Sequence, residues 1–480
     1  MNYSKRLLLV GCMIAASMTG CKIGAPGALS SKIPIPESYG EEDSLASVAT
    51  IKWTDFFQDT RLRSLIEEGL QNNPDMIIAL QRVRMAEAGR FIAKRALFPN
   101  LDLDLAGGLR RFGDYTIDGV GNYDTNFSEY VDGDRLIPNP VPDYFAGLKT
   151  AWEIDLWGKL RKRKRAAAAR LLASESGTRL VKTSLIAEIA SLYYELLAYD
   201  NELEIIRENI RLQENGLEVV VLQKEAGRAT ELAVKQFAAQ LQNTRSLGAR
   251  VKQQIVYTEN LLNRLLGRLP QPIERGESID RQELPGQIAT GFPSELLLNR
   301  PDIRQAEFNL IAAKEDIAAA RAAFYPSLSI SANAGLNAFR TGVFFDAPAS
   351  LAYHVVGGLT TPLLNRYELK SAYKQRIAEG HTELAQYEKT VLSAFEEVYT
   401  SIEAIKNYAE SYEYKKAEVD ELAGAISISN DLFTAGYASY LEVIMAQRNV
   451  LQANMELTNT RKDQFVEIIN LYRALGGGWQ

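Results

Sequence analysis

Residues 72–108, NNPDMIIALQRVRMAEAGRFIAKRALFPNLDLDLAGG, and residues 298–335, LNRPDIRQAEFNLIAAKEDIAAARAAFYPSLSISANAG, are two copies of one pattern. Pro74 aligns with Pro301, Asp75 with Asp302 and Pro99 with Pro326, at a constant offset of 227. Ala79, Ala86 and Ala93 meet Ala306, Ala313 and Ala320, each set at seven-residue spacing. Proline suits a first helical turn, where its missing N–H would have no partner, and it pushes the residue before it out of the α region. Each copy therefore reads as a helix begun at Pro-Asp and ended before Phe98-Pro99 or Tyr325-Pro326. A repeat of this length organises the rest of the chain.

Each helix leads into an alternating segment. Leu101, Leu103 and Leu105 alternate with Asp102 and Asp104; Leu328, Ile330 and Ala332 alternate with Ser329, Ser331 and Asn333. A second alternating segment follows in each copy. In 144–156, Tyr144, Ala146, Leu148, Trp152, Ile154 and Leu156 share one face while Lys149, Glu153 and Asp155 share the other. In 351–363, Leu351, Tyr353, Val355, Leu359 and Leu363 share a face. Strands are expected at about 100–109, 144–156, 327–336 and 351–363, each with the two-faced pattern of a membrane β-strand, which an ordinary half-buried hairpin would also show.

Long helices come next. Leu185, Ile189, Leu192, Leu196, Tyr199, Leu203, Ile206, Ile210, Gln213, Leu217 and Val220, spaced alternately four and three, are apolar except for Gln213. Val391, Phe395, Val398, Ile402, Ile405, Ala409 and Tyr412 pass the same test without exception. Such a seam marks coiled-coil packing. The first helix is expected from about Lys159 to Ala226, roughly 100 Å at ~1.5 Å per residue. Both long helices end at a matched turn, KEAGRATELAVKQ around Gly227 and FTAGYASYLEVIMAQ around Gly436, with Thr230 and Ser439 as N-caps of the returning helix. The offset is now 209. The 18 residues lost in the second copy fall between its two strands, where 109–143 is the longer loop and 340–350 the shorter.

Composition narrows the function. Of 480 residues 46% are hydrophobic and 24% charged, and the net charge is -6, which offers no basic field for nucleic acid. His354 and His381 are unpaired in sequence, Cys12 and Cys21 have no zinc-cluster spacing, and no phosphate loop or nucleophile motif is present, so no enzyme is expected. Lys5 and Arg6 precede an apolar run and Met18-Thr19-Gly20-Cys21, a signal sequence ending in a lipobox-like motif. Leu9-Val10-Gly11-Cys12 is a second candidate, set too close to the N-terminus for a full apolar region. The expected organisation is a signal peptide over 1–20, an N-terminal extension over 21–52 lipidated at Cys21, a first repeat over 53–290 and a second over 291–480. A covalent lipid on Cys21 is expected in place of any cofactor or metal.

Four membrane strands cannot close a barrel, and an open edge cannot face lipid. Two copies would give eight strands around a filled interior; three give twelve and an aqueous lumen. The expected fold is thus mainly α with membrane β: a trimeric 12-stranded barrel, four strands per chain, continued by a long coiled-coil α-helical barrel. The chain resembles the TolC-like outer-membrane efflux protein family, and within it the OprM/NodT-type lipoproteins of RND efflux pumps. The resemblance rests on WTDFFQDTRLRSLIEEGLQNNPD from Trp53, on the Phe98-Pro99 and Tyr325-Pro326 junctions, on Asp155-Leu156-Trp157-Gly158-Lys159 and on the repeat itself.

The resemblance implies a homotrimer in the cell outer membrane that extends into the periplasm. Its partners would be a periplasmic membrane-fusion adaptor and an inner-membrane RND-type transporter, and it would be a passive exit duct for drugs or other small molecules. Gly227, Arg228, Thr230, Gly436, Tyr437 and Ser439 match the hairpin tips that meet the adaptor. Acidic residues past the second glycine ring the closed aperture in the family. Glu442 stands there, while Met445 and Ala233 replace acids common in relatives. Three Glu442 side chains at closure would repel one another and attract cations, making the closed state sensitive to pH and salt. Trp152 and Trp157 suit an interfacial aromatic belt, and Arg161, Lys162 and Arg163, within the basic run to Arg165, suit outer-membrane lipid phosphates or a solvated face. Alternatives are an exit duct for type I protein secretion or metal-ion efflux, and, in another class, a non-conducting coiled-coil envelope lipoprotein.

Overall fold

Asn73 and Pro74 show how the repeat starts its first helix. The Asn73 side-chain oxygen accepts the backbone N–H groups of Asp75 (2.8 Å) and Met76 (3.1 Å), and proline fills the position that needs no donor. The computed structural model describes residues 29–31, 33, 34, 36, 50–131, 133–284, 293–361 and 366–479. Cys12, Cys21 and the signal segment lie outside the described residues. Apart from single turns, the order is α1 (Thr60–Asn72), α2 (Pro74–Arg95), β1 (Asp102–Arg110), α3 (Ile117–Thr125), β2 (Val141–Ile154), α4 (Lys159–Glu225), α5 (Glu231–Leu265), α6 (Pro301–Ala322), β3 (Ser327–Ala338), β4 (Leu351–Thr360), α7 (Arg366–Thr434) and α8 (Tyr440–Ala474).

The four strands form one antiparallel sheet in the order β1-β2-β3-β4. Leu103 lies opposite Leu148, Trp152 opposite Ile330, and Ile330 also opposite Gly357. The central pairing, β2 with β3, joins the two repeats. Leu103, Leu105 and Leu109 on β1 and Tyr353, Val355 and Leu359 on β4 are each more than 60% exposed. The strand limits differ from expectation for local reasons. β2 starts earlier, at Val141, and stops at Ile154, because Asp155 leaves the ladder to bond the first turn of α4. β3 runs on to Ala338 and β4 spans Leu351–Thr360, while Leu363 lies outside the described residues. The loop expected over 109–143 contains α3, started by Thr116 accepting the Gly119 N–H.

By their internal contacts, Glu87–Arg170 with Leu310–Leu384 make one compact unit, and Leu171–Asn309 with Ala385–Gln480 and residues 50–86 make another. The units therefore do not follow the repeats; each draws on both, as the β2–β3 pairing requires. In the second unit Leu185, Ile189, Leu196, Leu203, Ile206 and Val220 are buried along the α4 seam, and Val391, Phe395 and Val398 along that of α7. Gln213, the polar member of the seam, is buried too. It donates to Asn209 at 2.6 Å, so at least one of its polar groups is satisfied inside the packing.

The repeat reaches into individual bonds. Asn73 Nδ2 donates to the Leu265 carbonyl at the end of α5 (2.9 Å), and Arg300 Nη1 donates to the Ala474 carbonyl at the end of α8 (2.8 Å). Those residues are counterparts at offsets of 227 and 209. Arg300 adds ion pairs to Asp302 (2.7 Å) and Glu397 (3.0 Å), and its side chain is buried. Removing one member of a buried pair leaves the others uncompensated. Arg300→Met is expected to destabilise the chain by about 3 kcal/mol, read as a lower denaturation midpoint; an unchanged midpoint would contradict the counterpart role.

Candidate functional site

The two hairpin tips are built alike, bond for bond. Gly227 and Gly436 have φ of 74° and 84°, the left-handed region where a side chain is strained. In the first tip the N–H groups of Gly227, Arg228 and Ala229 donate to Lys224, Gln223 and Gln223. In the second, those of Gly436, Tyr437 and Ala438 donate to Phe433, Leu432 and Leu432. Each set closes the helix end in the Schellman manner and turns the chain into α5 or α8. Below the turns, Val220, Ala233, Phe237 and Val443 form a buried apolar cluster shared by both hairpins.

The returning helices begin differently. Thr230 caps α5 by accepting the Ala233 N–H at 3.2 Å. Glu231 in its first turn bonds Lys224 across the tip and lies 3.5 Å from Lys235, and the Lys224 hydrogen bond holds its carboxyl below the ordinary range. In the second tip Ser439 and Glu442 form a capping box, in which the Glu442 carboxylate accepts the Ser439 backbone N–H. Glu442 is exposed, and so are Tyr437, Leu441 and Met445. The expected aperture residue thus has a task within its own hairpin. The pattern Ser-x-x-Glu is visible in the sequence as a capping-box signature.

A second site lies in the other unit, where strands meet helices. Asp155 accepts the N–H groups of Leu160 (3.0 Å) and Arg161 (2.9 Å) and pairs with the Arg161 guanidinium (3.1 Å). Partial burial works to raise its carboxyl, but these donors outweigh that and hold it below the ordinary range. Trp152 donates its indole N–H to the Leu97 carbonyl (3.0 Å), and Trp157 donates to Pro326 (2.8 Å) while stacking on Tyr325 with centroids 4.9 Å apart. Both tryptophans therefore pin a helix-to-strand junction as well as presenting a ring. Within the basic run, Lys162 and Arg165 pair with Glu315 at 3.1 and 3.9 Å, and Arg170 bonds Asp316. Glu315 and Asp316 carried no sequence signal, because they lie on α6, about 150 residues away. Arg163 is exposed and has no ion pair among the described residues.

Among the described residues no three His, Cys, Asp or Glu gather to hold a metal ion, and no helix is long and apolar enough to cross a membrane. Neither observation bears on a β-barrel.

Residues 65–268 and 292–477 match the family model described as outer membrane efflux protein. The chain is similar to the solvent efflux pump outer membrane protein SrpC of Pseudomonas putida, with 30% identity covering 98% of this chain and 97% of that one. It is similar to the cation efflux system protein CusC of Escherichia coli, with 28% identity covering 97% and 98%. The solved outer-membrane channel OprN superimposes with a TM-score of 0.83 over 96% of this chain and all of its own, at 24% identity.

The capping box made by Glu442 yields a direct prediction. Glutamine also serves in a capping box, so Glu442→Gln should leave thermal stability within about 0.5 kcal/mol of the parent. Glu442→Ala should cost about 1 kcal/mol, as a lost cap does. Equal losses for the two variants would show that the carboxylate charge, not the cap, holds the hairpin.

Proposed function

Because the chain belongs to the outer membrane efflux protein family, we propose that three copies of it close one barrel in the outer membrane and form the exit duct of a tripartite efflux pump. The observation that carries this reading is the sheet itself. Among the described residues it has four strands, two unpaired edges and an apolar exposed face on those edges. In lipid, unpaired backbone groups cost several kcal/mol each, so β1 and β4 need a partner strand. Twelve strands from three copies satisfy both edges and leave a lumen.

The internal repeat supplies the register of the seam. Leu103 opposite Leu148 and Ile330 opposite Gly357 show that β1 maps onto β3 by 227 and β2 onto β4 by 209. The β2–β3 pairing then maps onto β4 of one copy beside β1 of the next. Ala146 opposite Leu336 becomes Val355 opposite Leu109, and Lys149 opposite Asn333 becomes Gly358 opposite Ala106.

The tips are the surface for the adaptor, through Arg228 and Tyr437 beside the Gly227 and Gly436 turns, with the Thr230 and Ser439 caps holding their shape. Their exposed Leu232, Leu441 and Met445 suit an apolar contact. Glu442 rings the aperture, which the adaptor and the inner-membrane RND-type transporter bias from closed to open packing; the transporter supplies the energy. Cys21 carries the anchoring lipid. The duct conducts and does no chemistry on its cargo.

Two outcomes test this. A chain with Leu109→Cys and Val355→Cys should oxidise to covalently linked trimers that survive SDS, whereas Leu105→Cys with Val355→Cys, displaced by about 13 Å along the seam, should not. Cross-linking of the displaced pair alone would overturn the register. Glu442→Gln should weaken divalent-cation block of the conductance by about tenfold, since a lost carboxylate removes roughly 1.4 kcal/mol per site in a partly screened ring; unchanged block would remove Glu442 from the aperture.

A further inference from the structure

The net charge of the chain is -6, yet residues 159–170 hold seven Lys and Arg and no Asp or Glu. The excess recurs at the other helix ends that meet the sheet. The last two turns of α2 contain Arg90, Lys94 and Arg95, the last turn of α6 carries Arg321, and the first turns of α7 carry Lys370 and Lys374. Four neighbouring acids are already engaged, while Glu368 in the first turn of α7 makes no ion pair among the described residues. Glu153 bonds Lys159, Asp155 holds Arg161, Glu315 takes Lys162 and Arg165, and Asp316 takes Arg170. Arg95 lies over the Phe91 ring at 5.1 Å. What is left is Arg90, Lys94, Arg163, Lys164, Arg321, Lys370 and Lys374, all exposed and without an ion pair among the described residues.

Lys94, Arg321, Arg163 and Lys164 lie within seven residues of the aromatic side chains at the sheet's helix end. At its helix end Phe98, Leu101, Leu156, Trp157 and Tyr325 are each roughly half exposed or more. Apolar and aromatic side chains in such a row suit the edge of a hydrocarbon layer. Lys94 precedes Phe98 by four residues, Arg321 precedes Tyr325 by four, and Arg163 and Lys164 follow Trp157 by six and seven. At ~1.5 Å per residue these offsets span about 6 to 10 Å. The headgroup zone beyond the hydrocarbon is about 5–8 Å deep on each side. Lys94 and Arg321 therefore fall where lipid phosphates lie, and Arg163 and Lys164 lie just beyond, within reach of their long side chains.

We propose that the helix ends next to the sheet form a cationic collar that binds the headgroup phosphates of phospholipids in the periplasm-facing leaflet. The collar rests on the reading above that the sheet lies in the outer membrane, and extends it from the basic run alone to α2, α6 and α7. The internal ion pairs have a part in it: Glu315 and Asp316 hold α4 against α6 and so hold Arg163 and Lys164 at the phosphate level. The collar would also set how deep the barrel sits, since the cations cannot enter hydrocarbon and the leucines of β1 and β4 cannot leave it.

The test is native mass spectrometry of the purified full chain in mild detergent, titrated separately with phosphatidylglycerol and with inorganic phosphate. The comparison is a chain bearing Arg90→Gln, Lys94→Gln, Arg163→Gln and Lys164→Gln, all exposed positions whose loss leaves the ion pairs of α4 and α6 in place. The parent is expected to hold phosphatidylglycerol at least about tenfold more tightly than the variant, with no displacement by inorganic phosphate at about 10 mM, since the free anion lacks the acyl chains that add to the lipid's binding. Equal lipid affinity in the two chains would overturn the collar. So would full displacement by free phosphate, which marks a small-anion site. Unchanged lipid binding with a shifted ion selectivity of the pore would place these charges in the lumen and equally overturn it. Absence of any pore in the parent would instead count against the duct, and the lipid titration would still judge the collar.

Discussion

An unpaired strand edge cannot rest in hydrocarbon. Every backbone N–H and C=O that loses water must find a partner, and β1 and β4 each leave one row without any among the described residues. The apolar faces of the same strands exclude water as the remedy. The remaining features follow from that constraint. On the proposed reading one chain is an incomplete object, and further copies complete its sheet. The constraint also gives the repeat its purpose, because a chain whose two halves share one geometry presents, at its outer edges, the same pairing that it already makes at its centre.

How closely the halves agree can be judged from bonds rather than from outline. The tips at Gly227 and Gly436 close with equivalent hydrogen bonds, α5 and α8 both run 35 residues, and α2 and α6 both run 22. The places where the halves part company are as telling. Asn73 is matched by Arg300, which keeps the bond to the helix-end carbonyl and adds two carboxylates. Thr230 with Glu231 is matched by Ser439 with a capping-box Glu442. Long-range packing is conserved between the copies, while charge is redistributed. That is what a wall needs when its two halves must pack alike and face different neighbours.

Much of this was legible in the sequence because it is periodic. The heptad seams of α4 and α7, the proline junctions and the glycine turns each repeat a local rule, so residue spacing alone locates them. Gln213 shows the rule's reach: it is the one polar member of its seam and it is still buried, with Asn209 as partner. What escaped was either too distant or doubly employed. Glu315 and Asp316 meet the basic run only once α4 and α6 lie side by side. The tryptophan N–H groups turned out to hold junctions through Leu97 and Pro326, carbonyls that no side-chain pattern announces. The helix α3 appeared in a stretch whose Gly, Asp and Asn content reads as loop, because a single Thr116 cap and the Gly113 turn are enough to start one turn and let two more follow. Glu442 was legible as an acid just past the second tip glycine and, through Ser-x-x-Glu, as a cap; only the structure shows the cap being made.

The account stands or falls on whether the sheet closes around an open path. Recording from the purified full chain in a planar lipid bilayer puts that to the proof most directly. The predicted result is discrete conductance steps from one inserted trimer, small in the parent and larger or more frequent when Glu442 is replaced by Gln. A bilayer that takes up the protein and shows no step, for either chain, would contradict a duct and return the long helices to a purely structural role.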